Sequence, residues 1–124
     1  MPDRNEYAAG IPSWVDLATP DRAPAKQFYG ALFGWQYEDQ EGVPYSIATM
    51  RGRAVSGMGE MTDQPPAWTS YVTVTDVDAT TAAAEKAGGS VLAAPMDVMD
   101  AGRMAVLAVP PGAVLAIWQP KNSI

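Results

Sequence analysis

The chain is 124 residues long, with 48% apolar and 18% charged residues and a net charge of −6. That is one domain's length with enough apolar material for a core, so disorder is excluded as the default state. No apolar run is long enough to span a membrane. The eight basic residues are scattered, with only Arg51 and Arg53 close together, which argues against a nucleic-acid partner. Cysteine and histidine are both absent. Disulfides, thiolate nucleophiles, cysteine-ligated zinc, the commonest metal ligand and the commonest general base near neutral pH are thereby removed. Any chemistry must rest on carboxylates, Tyr, Lys, Ser/Thr or a bound group.

Residues 1–10 are polar and small, and are expected to form a flexible N-terminus without a secretion signal, which predicts a cytoplasmic protein. Ser13–Thr19 alternates, with Val15 and Leu17 on one face and Trp14, Asp16 and Ala18 on the other, as a half-buried strand does. Pro20 stops it. Asp21 is an N-cap for a helix over 22–33, where Ala25, Phe28, Tyr29 and Leu32 recur at helical spacing, and Gly34 ends it. Short strands are predicted at 35–38, 45–49 and 54–58, separated by turns at Gly42-Val43-Pro44 and Arg51-Gly52-Arg53. Thr62–Ala67, with its Pro65-Pro66, is a stiff connector.

The pattern then restarts. Strand 68–74 leads to Asp76, which caps a helix over 77–87 ended by Gly88-Gly89. Strands at 90–94, 104–109 and 114–118 follow, the last after the turn Pro110-Pro111-Gly112. Trp14 and Trp68 lie 54 residues apart, the caps Asp21 and Asp76 lie 55 apart, and Gly34 and Gly88 lie 54 apart. Order, caps and stops all recur, which marks an internal repeat. The predicted fold is α+β: two βαβββ modules, residues 11–61 and 68–120, forming one domain over 11–120. They are expected to make one curved mixed sheet with helices outside and a concave pocket inside.

Trp14-Val-Asp-Leu-Ala-Thr-Pro-Asp21, with Ala25-Lys-Gln-Phe-Tyr-Gly-Ala-Leu-Phe-Gly-Trp35, resembles the opening of the glyoxalase/bleomycin-resistance/dioxygenase family, the vicinal-oxygen-chelate superfamily. Val74-Thr-Asp-Val-Asp-Ala79 with Ala87-Gly-Gly89 resembles its second module. Pro110-Pro-Gly-Ala-Val-Leu-Ala-Ile-Trp-Gln-Pro120 resembles its closing strand, although Val109-Pro110-Pro111-Gly112 departs from the usual Asp-Pro-x-Gly turn. The similarity is to an actinobacterial glyoxalase-like subgroup that often carries two such domains in tandem; this chain has length for one. Enzymes of the family hold a divalent metal with His and Glu on inner strand faces. By the resemblance those positions fall on Trp14, Thr69 (or Trp68), Ala116 and Ser56, a poor donor set. The expectation is therefore no metal and no cofactor. The inner face would instead present Trp14, Asp16, Ser56, Met58, Thr69, Tyr71, Ala116 and Trp118, a lining suited to a small, partly aromatic organic ligand such as a natural product or antibiotic.

Three readings stay open. The first is this metal-independent binder. The second is a lyase, isomerase or hydrolase of the same fold with Asp16 as base and Tyr71 as acid. The third is a non-catalytic dimerising subunit, or a single-domain derivative of a tandem protein, and a homodimer is expected. Plainer roles compete for each residue. Trp14 and Trp118 fill a core or a dimer interface as readily as they stack on a ligand. A lone strand Asp such as Asp16 is commonly solvated or paired with Arg. Asp97 and Asp100 suit an Asx-type turn better than a pocket mouth. Glu60 suits a solvated loop better than a metal site. Met50, Met58, Met61, Met96, Met99 and Met104 suggest an adaptable surface or core gap-filling. No phosphate loop, dinucleotide fingerprint or nucleophile elbow is present.

Overall fold

The computed structural model describes residues 8–121, and the expected flexibility of residues 1–7 lies outside them. It contains eight strands and two helices in the order expected for an α+β protein with a repeated βαβββ pattern. These are β1 (Pro12–Thr19), α1 (Arg22–Phe33), β2 (Gln36–Asp39), β3 (Tyr45–Met50), β4 (Arg53–Glu60), β5 (Ala67–Thr73), α2 (Val77–Lys86), β6 (Ser90–Val98), β7 (Gly102–Val109) and β8 (Ala113–Pro120). The chain divides into two compact units, Trp14–Thr69 and, among described residues, 8–13 with 70–121.

The helix starts follow the sequence closely. Asp21 and Asp76 each have extended backbone, and their carboxylates accept from the Ala23 and Ala79 amides, satisfying first-turn donors that have no partner within the helix. Gly34 closes α1 in the left-handed conformation, at φ 77°, which glycine adopts without steric cost. α2 instead stops at Ala87 with ordinary backbone, and Gly88 carries the positive φ one residue later.

In the first unit the strand order is β2-β3-β4-β1, with β1 parallel to β4 and the other pairs antiparallel. Paired residues share a sheet face. Leu17 pairs with Met58, Met58 with Ser46, and Ser46 with Asp39, so these four share one side. α1 covers that side: Arg22 reaches Ser46 Oγ at 2.7 Å and Glu60 at 3.0 Å, and Lys26 reaches Asp39 at 2.7 Å. Beneath it Leu17, Ser46, Ala48, Ser56 and Met58 are buried. Ser46 lies between Arg22 and Asp39, accepting from one and donating to the other at 2.6 Å, which offsets the cost of burying its hydroxyl.

In the second unit the order is β5-β8-β7-β6, with β5 parallel to β8. Ile117 pairs with Ala105, and both pack with Leu107 and Val77 of α2 into a hydrophobic core flanked by Val74, Ala84 and Val91. α2 therefore closes its sheet with apolar contact, where α1 relies on ion pairs.

Strand bounds differ from the sequence reading mainly by extension. β6 runs on through Met96-Asp97-Val98, because two register shifts let it keep pairing with β7. This corrects the turn assigned to Asp97. It lies on a strand, its carboxylate 3.1 Å from Lys121 and 3.4 Å from Arg103. Asp100 does lie in a turn. Glu60 is corrected as well, since it ends β4 and pairs with Arg22.

Candidate functional site

The strand face of the first unit turned away from α1 carries Trp14 and Asp16 of β1. Asp16 pairs with Gly57, and Gly57 pairs with Ile47 of β3, so Tyr45, two residues before Ile47, projects to the same side. Its ring lies across β4: a methyl group built on Gly57 would overlap the Tyr45 hydroxyl, and one on Gly59 would come within 3.3 Å of the ring. The two glycines thus leave a trough that the phenol fills. There the Trp14 indole N–H donates to the Tyr45 oxygen at 3.0 Å, and the Tyr45 hydroxyl donates to Asp16 Oδ2 at 3.2 Å. This directed chain, indole to phenol to carboxylate, fixes the Trp14 ring and aligns successive dipoles. Burial, reinforced by the Asp16 charge, pushes the Tyr45 pKa well above the ordinary phenol value. The hydroxyl therefore remains a donor throughout the physiological range.

Ser56 and Met58 do not join this group. Both are buried on the α1 side, each about 1% exposed. The cause is one extra residue in β4. Thr49 pairs with Ala54 and Ala48 with Ser56, so Val55 is inserted and the alternation beyond it reverses. Counting from Gly52 as from Gly112 places Ser56 like Ala116, but only β4 carries that insertion, and its residues on the open side are Gly57 and Gly59.

In the second unit the face turned away from α2 is laid out by register. Tyr71 pairs with Ala116 and then Val106, while Thr73 pairs with Trp118, Met104 and Met96 in one row. Trp118 is half-buried against Gly102, where an added methyl would come within 2.6 Å of its ring. Ala116 is fully buried. Thr69, half-buried on β5, is the last residue of the first unit. The open faces thus hold Trp14 and Asp16 in one unit, and Tyr71, Ala116 and Trp118 in the other. Sequence reasoning missed Tyr45, and it singled out Met104 and Met96 only as members of a methionine-rich set. Alternation along β3 places Tyr45 with Ile47, but only the β3–β4–β1 register shows that they share a side with Trp14.

The residues that the resemblance sets at the family's metal positions do not fit a divalent cation. Trp14 presents an N–H already engaged with Tyr45, Ala116 has no donor, Ser56 is buried on the helix side, and Thr69 offers a single hydroxyl. Among the described residues no group of three or more His, Cys, Asp or Glu is placed to hold a metal. No helix among them is long and apolar enough to cross a membrane.

Comparison with known proteins places this geometry. Residues 14–117 match the family described as the glyoxalase-like domain. "Putative glyoxylase CFP32" of Mycobacterium tuberculosis is 42% identical over 133 residues, covering 100% of this chain and 51% of that protein. The anthracycline biosynthesis protein DauV of Streptomyces sp. strain C5 is 38% identical over 132 residues, covering 91% of this chain and 48% of that protein. The chain therefore spans about half the length of these relatives. Among solved structures, the Mn(II)-bound glyoxalase of Novosphingobium aromaticivorans superposes with a TM-score of 0.61 at 16% identity, over 94% of this chain and 42% of that one. Methylmalonyl-CoA epimerase of Mycobacterium tuberculosis gives 0.62 at 13% identity, over 94% and 93%. These two likenesses concern the fold alone. The repeated βαβββ order and the family match over residues 14–117 together establish that this chain belongs to the glyoxalase-like domain family.

Proposed function

We propose that this chain is a metal-independent member of the family that binds a small, planar organic molecule, with Trp14 as the stacking surface and the Asp16–Tyr45 pair as polar anchor. Thr69, in the same unit, is a further ligand contact in this reading, whereas Tyr71 and Trp118 belong to the second unit's own open face. The supporting observation is the Trp14–Tyr45–Asp16 chain, which stands where the family resemblance assigns a metal ligand. A preformed aromatic plate beside a carboxylate suits a ligand with a flat apolar body and hydrogen-bond donors at its edge. Natural products of that description include the anthracyclines for whose biosynthesis two relatives are named.

The test is quenching of tryptophan emission by an anthracycline aglycone, measured with and without chelator. Saturable binding is expected, unchanged by chelator and weakened about tenfold or more by Trp14→Ala, as the loss of one stacking contact implies. Tyr45→Phe should weaken it less, because the indole loses its tether and keeps its surface. Binding that requires Mn(II), or that ignores Trp14→Ala, would refute the proposal. A second reading, an enzyme with Asp16 as base, draws on the glyoxylase name of the mycobacterial relative. Loss of turnover in Asp16→Asn with unchanged affinity would select it.

A further inference from the structure

The methionines have no part in the ligand reading, and the second unit gathers two of them on its open face. Met96 of β6 pairs with Met104 of β7, and Met104 pairs with Trp118 of β8, so the three lie in one row across adjacent strands. Opposed residues of an antiparallel pair have Cβ atoms about 4.5–5.5 Å apart, which lets two methionine side chains reach a common point. Met96 is 43% exposed, and Met104 and Trp118 are half-buried, so solvent reaches the row. The Trp118 ring lies against Gly102, two residues before Met104 on the same strand and the same side. The indole is thereby set beside the Met104 thioether. Strands β5 to β8 carry one basic residue, Arg103, and it points to the opposite side, where it bonds Asp78 and Asp97.

We propose that Met96 and Met104 hold a soft monovalent cation, Cu(I), with the Trp118 indole lying against it. Thioethers are neutral, polarisable donors that prefer Cu(I) to the harder divalent ions. Cu(I) tolerates low coordination, so a pair of sulfurs suffices, and the electron-rich indole adds a cation–π contact. Neutral ligands leave the charge of the ion uncompensated, which a chain of net charge −6 with no basic side chain on this row accommodates. The sequence points the same way. It has seven methionines and no cysteine or histidine, the residues that would otherwise capture a soft ion. Packing on an exposed strand face would be served as well by Val or Ile, which strands favour. Sulfur is what a methionine pair adds there.

The probe is Ag(I), which shares the ligand preferences of Cu(I) and keeps its oxidation state in air. The full chain, isotopically labelled at its methionine methyl groups, is titrated with silver nitrate in chloride-free buffer. The Met96 and Met104 methyl resonances should move together and saturate at one equivalent, while the remaining methionines stay in place. Leucine keeps the side-chain volume and removes the sulfur. Met96→Leu and Met104→Leu should therefore each weaken binding about tenfold or more, with an unchanged circular dichroism spectrum. Met99→Leu, in the exposed turn between β6 and β7, should leave binding as it is. Trp118→Leu, which removes the π face alone, should weaken binding by a smaller factor. Cu(I) supplied anaerobically should give the same shifts, and Mn(II) none. The absence of a saturable shift overturns the proposal, as do shifts spread evenly over all methionines or binding that survives Met96→Leu with Met104→Leu. None of these results bears on the ligand reading, which rests on Trp14, Tyr45 and Asp16 in the other unit.

Discussion

The two units repeat one βαβββ plan yet close it by different physics. In the second, α2 buries Val77 and Thr81 over a sheet whose Ala105, Leu107 and Ile117 complete an apolar core. In the first, α1 has no buried residue of its own, and its N-terminal half is held by Arg22, Lys26, Ser46, Asp39 and Glu60. Burial of apolar surface is not screened by salt and is strong per residue, whereas exposed ion pairs contribute little and are screened. The lesson is that a duplicated module can leave one helix free to keep apolar residues on its outer side, provided that its inner side is tied by polar contacts. The same division appears on the open faces. Each unit sets a glycine beneath a ring, Gly57 under Tyr45 and Gly102 under Trp118, but the first ring is tethered by hydrogen bonds to its neighbours while the second lies in an apolar row with Met104 and Met96.

The largest expected effect tests the second unit's core. Leu107 is 3% exposed and central to that core, so Leu107→Ala should cost about 2–5 kcal/mol in denaturant unfolding, the range for a truncated buried leucine. Arg22→Ala, which removes the chief polar tie of the first unit, should lower the melting temperature by much less. If the two substitutions cost the same, the contrast between an apolar and a polar closure is mistaken.

Next come the two glycines. A methyl at Gly102 would meet the Gln119 backbone carbonyl at 2.6 Å as well as the Trp118 ring, and backbone has little room to move. A methyl at Gly57 would meet only the Tyr45 side chain, which can swing aside at the loss of its two hydrogen bonds. Gly102→Ala should therefore cost about 3 kcal/mol or more, and Gly57→Ala about 1–3 kcal/mol, both by denaturant melts. Gly57→Ala should also change the Trp14 indole N–H resonance, because the acceptor leaves. An equal cost at the two sites, or an unmoved indole signal, would show that Tyr45 is not seated as described.

The same two glycines show why part of the site was hidden in the sequence. Caps, stops and strand order are local properties, set by Asp21, Asp76 and Gly34 and by alternation within a segment, and these were legible. Which side of a sheet a residue faces depends on pairing between segments. One inserted residue, Val55, moved Ser56 and Met58 from the expected open side to the buried side, and nothing in the local pattern of β4 marks it. Tyr45 was overlooked for a related reason. Its place is created by the missing side chains of Gly57 and Gly59, and the value of an absent side chain appears only once the neighbouring strand is in register.

The smallest effect concerns acid. Hydrogen bonds from Lys26 and then Ser46 hold the Asp39 carboxyl below its ordinary pKa, Arg22 does so for Glu60, Arg103 for Asp78, and Lys121 with Arg103 for Asp97. A carboxyl with a depressed folded-state pKa binds fewer protons folded than unfolded. Its contribution is therefore complete above the unfolded value near pH 4 and is lost as pH falls through the folded one. Stability should decline gently from about pH 5 to pH 2, less steeply in high salt, because all four groups are exposed. The two units should differ in how a single cation carries the effect. Arg103 bonds both Asp78 and Asp97, whereas Arg22 is the main partner of Glu60 alone, Asp39 being held chiefly by Lys26. Arg103→Ala should thus flatten the acid limb of the stability curve more than Arg22→Ala. A larger flattening by Arg22→Ala would mean that the network tying α1 to its sheet acts as one cooperative cluster around the buried Ser46 rather than as separate exposed pairs.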